Sequence, residues 1–206
     1  MRLLITGIFF LCLTANVAFA DYAQGKAAYE SKDWFNAIRY LRPLAEQGDD
    51  RAMVLLGNMY MDGKGVGKNY ETAFTLYKQA LTHNNDDAML AVGTMYAEGL
   101  SVKKNFTTAF DWYTKSAEYG NPAAQFLVAS VYINGHPRLK NVKADPVKAY
   151  TWYKIVAQQE EMPEIAKTAD KFAEALIPQL SPEDIMHAEE QADAFQPRSE
   201  KPNNKD

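Results

Sequence analysis

Several stretches of this chain carry residue types that could do chemistry. Gly63-Lys64-Gly65-Val66-Gly67-Lys68 offers the glycines and lysines from which a phosphate-cradling loop is made, since freed backbone amides and a lysine cation can converge on an anion. The spacing does not serve that use. Gly63 and Gly67 are four residues apart where the motif has five, and Asn69 stands where a Ser or Thr would hold magnesium. Ser101-Val102-Lys103-Lys104 has the Ser-x-x-Lys spacing of penicillin-recognising serine enzymes, but their partner motifs, Ser-Asp-Asn and Lys-Thr-Gly, do not occur. His83, His136 and His187 lie far apart with no pair at metal-ligand spacing. The acidic doublets Asp49-Asp50 and Asp86-Asp87 each precede a helical stretch and are expected to cap it rather than to act as an acid/base pair. No catalytic residue, cofactor or metal is expected.

The elements that position these residues form a repeat. Ala52, Gly57, Tyr60, Gly63, Asn69, Ala73 and Tyr77 return thirty-six residues later as Ala88, Gly93, Tyr96, Gly99, Asn105, Ala109 and Tyr113. A fixed period of this length marks a stacked array of helical hairpins. Within a copy, Ala52, Leu56, Gly57 and Tyr60 form one stripe at helical spacing. A glycine inside that stripe costs about 1 kcal/mol relative to alanine, so Gly57 implies a close approach between two helices. Gly63, Gly99 and Gly135 stand where a first helix would end in a left-handed cap. Four residues ahead of Ala37, Ala73, Ala109 and Ala149 stand Asp33, Asn69, Asn105 and Asp145, each able to cap the start of a second helix. Gly48, Asn84 and Gly120 suit the left-handed end of that second helix, and Glu160 in the last copy does not.

These offsets, A-x-x-x-L-G-x-x-Y-x-x-G-x-G-V-x-x-N followed by A-x-x-x-Y, resemble the Sel-one-like repeat (SLR), a longer-looped relative of the tetratricopeptide repeat. The resemblance covers roughly residues 23–160. It implies an all-α, right-handed α/α solenoid of antiparallel helix pairs and a role as a protein–protein interaction adaptor or scaffold in a bacterial envelope. A cysteine-rich secreted subgroup of the family is linked to penicillin binding or hydrolysis. The only cysteine here, Cys12, falls in the leader described next, so the chain departs from that subgroup. A cell-wall or β-lactam-acting hydrolase and a structural subunit of an envelope complex are the alternative readings.

Along the chain, residues 1–20 have one basic residue, Arg2, an apolar run from Leu3 to Leu13, and Ala18-Phe19-Ala20, the form of a secretory signal peptide. Cleavage after Ala20 and a periplasmic or secreted location are expected, with no membrane insertion after cleavage. The net charge of −4, one unit more negative once Arg2 is removed, and the lack of a basic run argue against nucleic acid as a partner. Residues 21–48 read as an N-terminal, tetratricopeptide-like cap in which Pro43 should kink or disrupt the second helix. Residues 49–84 and 85–120 are the matching repeats, and 121–160 is a repeat with four residues inserted in the loop 136–144. Residues 161–195 read as C-terminal capping helices, with Ser181-Pro182-Glu183-Asp184 as a helix start, and 196–206 as a disordered tail.

In related tetratricopeptide arrays the first helices line the concave face. Carried over by offset, the candidate partner-binding residues are Val54, Asn58 and Met61, then Leu90, Thr94 and Ala97, then Phe126, Ser130 and Ile133. This surface varies between copies while the packing positions repeat. The expected partner is a helix or extended peptide, bound by a monomer. The rival possibility is that the C-terminal helices fold back and fill this face.

Overall fold

Side-chain oxygens cap the starts of seven of the described helices. In the computed structural model, which describes residues 21–139, 142–159 and 162–198, the described residues form ten α-helices and no strand. Helix α1 is seen over 21–30, and α2 (Trp34–Glu46), α3 (Asp50–Asp62) and α4 (Tyr70–Ala80) follow, with a 3-10 turn at Leu81–His83. Then come α5 (Asp86–Glu98), α6 (Phe106–Glu118), α7 (Pro122–Asn134), α8 (Pro146–Ala157), α9 (Pro163–Leu176) and α10 (Pro182–Asp193). Asp33, Asn69, Asn105 and Asp145 each accept from a backbone N–H of the first turn they precede, satisfying donors that have no partner inside the helix. Residues 1–20, where the leader is expected, lie outside the described residues.

The helices pack in consecutive antiparallel pairs, as expected for the α-solenoid class. The chain divides into two compact units, unit 1 up to Asn85 and unit 2 from Asp86. In unit 1, α3 packs on α4 through Gly57: an added Cβ would stand 2.5 Å from the Tyr77 ring. Tyr77, 1% exposed, fills the space that the glycine leaves. Unit 2 repeats the device: a Cβ added at Gly93 of α5 would stand 2.7 Å from the Tyr113 ring. Backbone cannot approach that closely past a side chain. In α7 the glycine is replaced by Ala129, fully buried with Tyr153 in a core that also takes Ala169, Ala173 and Leu176 from α9 and Ala188 from α10.

Several expectations change in the folded chain. The doublet Asp49-Asp50 does begin with a cap, Asp49, which accepts from the N–H groups of Arg51 and Ala52. Asp86 and Asp87 instead lie inside the first turn of α5, because Asn85 takes the position that Asp49 holds in the preceding copy; there the carboxylates face the positive end of the helix dipole. Helix α2 runs through Pro43 for another turn to Glu46, so proline removes one donor without ending the helix. Gly63 is a left-handed cap at φ 74 and ψ 31, but Gly135 has φ 66 with ψ −173 and is extended beyond the helix. The inserted loop after it leads the chain away, and Leu139 is buried against Phe110 and Val128. Residues 140–141 lie outside the described residues, as does Glu160, and α8 ends at Gln158 in an ordinary right-handed conformation. The tail is also held as far as Arg198, whose backbone N–H donates to the Glu118 carbonyl at 2.9 Å.

Candidate interaction surfaces

The α3 face picked out by offset does not stand free. Val54 is buried at 5% exposure. Asn58 is partly exposed, and its Oδ1 accepts a 2.7 Å hydrogen bond from the Tyr77 hydroxyl. Burial pushes that hydroxyl well above the ordinary tyrosine range, with the charges of Tyr29 and Asp62 adding to the effect, so it stays protonated and serves as a permanent donor. Asn58 therefore completes the helix pair, and Met61 is the position of the three that combines apolar character with partial exposure.

In unit 2 the pattern recurs with variations. Thr94 of α5 donates to the Leu90 carbonyl at 3.0 Å and lies 3.4 Å from the Tyr113 hydroxyl, the role Asn58 plays in unit 1. Ala97 is partly exposed, and Leu90 packs against the core of Phe110, Ala117 and Val128. On α7, Ser130 is exposed and donates to the Leu127 carbonyl, and Ile133 packs against the α8–α9 core. Phe126 sits edge-on to Tyr153 at 5.1 Å and to Phe172 of α9 at 5.6 Å. Part of the α7 face is thus covered by a C-terminal helix. Burial pushes the Tyr153 hydroxyl up to about 12.

A second surface was not anticipated from offsets. In unit 1 a cleft of about 360 Å³ opens between α2 and α4 over α3, lined by Arg42, Glu46, Gly48, Tyr60, Leu76 and Gln79 among others. Its α3 residues, Met53, Leu56 and Tyr60, form a different stripe from Val54, Asn58 and Met61. The offsets gave no signal for it, because Arg42, Glu46, Leu76 and Gln79 do not recur as fixed positions of the repeat.

The residues considered for chemistry are otherwise engaged. Ser101 is an exposed turn residue at φ 59, not the start of a helix. The loop Gly63–Lys68 does not form an anion cradle: an added Cβ at Gly65 would meet the Cβ of Trp34 at 2.5 Å, and the Lys64 ammonium pairs with Asp62 at 2.6 Å. The His136 ring stacks on Phe106 at 5.4 Å, and His187 bonds Gln191. Asp86 is held above the usual carboxylate range, by burial first and then by the charge of Asp87. That places one helix-start carboxyl in a protected position rather than at a cleft. Among the described residues no group of three or more His, Cys, Asp or Glu is arranged to hold a metal, and no helix is long and apolar enough to cross a membrane.

With this geometry in place, comparison with known proteins is informative. The Sel1 repeat matches four times, over residues 20–49, 50–85, 86–121 and 122–160. Among solved structures, a Sel1 repeat protein from Oxalobacter formigenes is 24% identical with a TM-score of 0.61, over 77% of this chain and 45% of that one. A protective antigen of uropathogenic Escherichia coli with an SLR fold is 21% identical with a TM-score of 0.49, over 86% of this chain and 45% of that one. The chain therefore spans under half the length of either. No curated protein matches the sequence significantly.

Proposed function

Because the chain belongs to the Sel1 repeat family, whose repeats act as protein-interaction scaffolds, we propose that it is an exported, monomeric adaptor that binds a protein or peptide through exposed first-helix positions. The observation that carries this reading is a contrast within each unit. The Gly57–Tyr77 and Gly93–Tyr113 contacts repeat, while the partly exposed Met61 of α3 in unit 1 is replaced by Ala97 at the same offset of α5 in unit 2. The glycine and the tyrosine stay the same because each fits the space the other leaves, and exposed positions without such a contact can each supply their own. Asn58 and Thr94 belong to the structural set and support the surface without forming it.

Export is inferred from the leader-like residues 1–20 and is supported by the start of the first repeat match at residue 20. The test of location is N-terminal sequencing of the protein recovered from the envelope fraction, which should begin at Asp21. For binding, photo-crosslinkers placed at Met61 and at Ala97 should each capture a protein partner, and Ala97→Arg should abolish co-purification of the partner captured from α5 while the helical circular-dichroism signal stays. Co-purification that persists in Ala97→Arg would count against the α5 face. Hydrolysis of a chromogenic β-lactam, abolished by Ser101→Ala, would replace this reading with an enzymatic one.

A further inference from the structure

The open cleft of unit 1 has a counterpart inside unit 2, and there it is filled. Counted along the repeat, Glu46, Gly48, Tyr60 and Leu76 correspond to Glu118, Gly120, Tyr132 and Trp152. In unit 2 the chain beyond α10 runs across these positions. The Phe195 ring meets Trp152 edge-on at 5.7 Å between centroids. Pro197 lies over Gly120, where an added Cβ would come within 3.0 Å of the proline ring. Arg198 donates its backbone N–H to the Glu118 carbonyl at 2.9 Å, and its guanidinium pairs with the Glu118 carboxylate at 3.0 Å.

Each of these three contacts has its receiving group in unit 1. Leu76 offers an apolar floor in place of Trp152, and Gly48 again exposes bare backbone, at φ 97 against 104 for Gly120. Glu46 again presents an exposed carboxylate at the end of the preceding helix. A ring that packs on a side-chain-free backbone and a cation that meets a carboxylate define a sequence, not only a shape.

We propose that the unit 1 cleft docks an extended segment of a partner protein containing an aromatic residue, a proline two positions later and an arginine or lysine directly after the proline. The segment is held as Phe195–Arg198 is held in unit 2. The occupant comes from another molecule because the chain's own copy of this sequence is already engaged close to α10, where tethering gives it a high effective concentration. This site uses the Met53, Leu56 and Tyr60 stripe of α3 and stands apart from the first-helix face proposed above.

The test is an anisotropy titration of full-length protein against a fluorescein-labelled peptide with the sequence of residues 193–200, Asp-Ala-Phe-Gln-Pro-Arg-Ser-Glu. Saturable binding is expected. Glu46→Lys, at an exposed position, should weaken it roughly threefold to tenfold, and a peptide with Glu in place of Arg should recover part of that loss. Leu76→Trp, which supplies the aromatic floor of unit 2, should tighten binding by about twofold to tenfold. Glu174→Lys, an exposed charge reversal on α9 away from both grooves, should leave the affinity unchanged. Absence of saturable binding, indifference to Glu46→Lys, or loss in Glu118→Lys alone would overturn the proposal, the last because the peptide would then be exchanging with the tail. A dimer that dissociates when residues 195–206 are removed would overturn the choice of a separate partner in favour of a second copy.

Discussion

Unit 1 and the α6–α8 part of unit 2 are built on one frame, with second helices flanking a first helix and capped by the same residue types. In unit 1 the outer edge between the second helices is open, with Arg42 and Glu46 on the rim and Leu76 in the wall. In unit 2 the corresponding edge is crossed by Phe195, Pro197 and Arg198, and α9 and α10 add a core of small residues around Tyr153. A repeat fixes how neighbouring helices touch. It leaves open whether the groove they create is filled by the chain or offered to something else, and the C-terminal residues settle that for unit 2.

The comparison breaks most visibly at Phe172, which belongs to unit 2 alone. Phe172→Ala should cost about 2 kcal/mol, below the ~3–5 kcal/mol typical of a fully buried phenylalanine, because this ring is 43% exposed; urea unfolding should register the loss, and near-ultraviolet dichroism of Phe126 and Tyr153 should flatten. Exchanging the glycine and alanine of the frame sharpens the contrast. Gly57→Ala adds a methyl against Tyr77, an overpacking cost of roughly 1–3 kcal/mol that exceeds the ~1 kcal/mol gain in helix propensity. Ala129→Gly, where no ring requires bare backbone, should lose about 1 kcal/mol of helix propensity and roughly 0.8 kcal/mol for the fully buried methyl it removes, so thermal melts should show that removing the methyl destabilises α7 while adding one destabilises α3.

A smaller effect is expected at the start of α10. Ser181 and Asp184 form a reciprocal capping box, and Ser181→Ala should cost about 1 kcal/mol, seen as faster hydrogen exchange in α10 with unit 1 amides unaffected. The pH dependence separates the units least. Tyr77 in unit 1 is raised above its ordinary value by burial, and Tyr150 and Tyr153 in unit 2 are pushed up to about 12, chiefly by burial. Each hydroxyl ionises more readily in the unfolded chain than in the folded one. The folded state therefore binds more protons above pH ~10, and stability should fall as pH rises through that range while changing little from these groups below it. Denaturant midpoints measured from pH 9 to 11.5 should show the decline, and Tyr77→Phe should make it shallower. A midpoint that rose with pH would contradict the burial of these hydroxyls.

Much of this architecture is legible in local chemistry. Asp33, Asn69, Asn105 and Asp145 cap helices because a short side-chain oxygen at that offset can reach the free amides of the next turn, a fact of covalent geometry that needs no tertiary contact. Gly57 inside an apolar helical stripe implies a close approach of two helices, and the folded chain shows that Tyr77 is the ring that takes the space. The candidate binding face was less legible. Counting offsets locates Asn58 and Thr94 on a helix face but cannot reveal that a tyrosine hydroxyl from the next helix claims them. Phe126 looks like an exposed anchor until α9 brings Phe172 against it.

The order of helices, their starts and the need for a close approach at Gly57 were determined by the sequence itself, since each depends on residues within one or two turns or on a period that repeats. The fate of the grooves was decided only in three dimensions. Phe195, Pro197 and Arg198 show no periodicity and no apolar run, so nothing local ties them to a structure. They are held because Trp152, Gly120 and Glu118, distant in sequence, are brought to one edge of unit 2, and a contact of that kind exists only after the helices have packed.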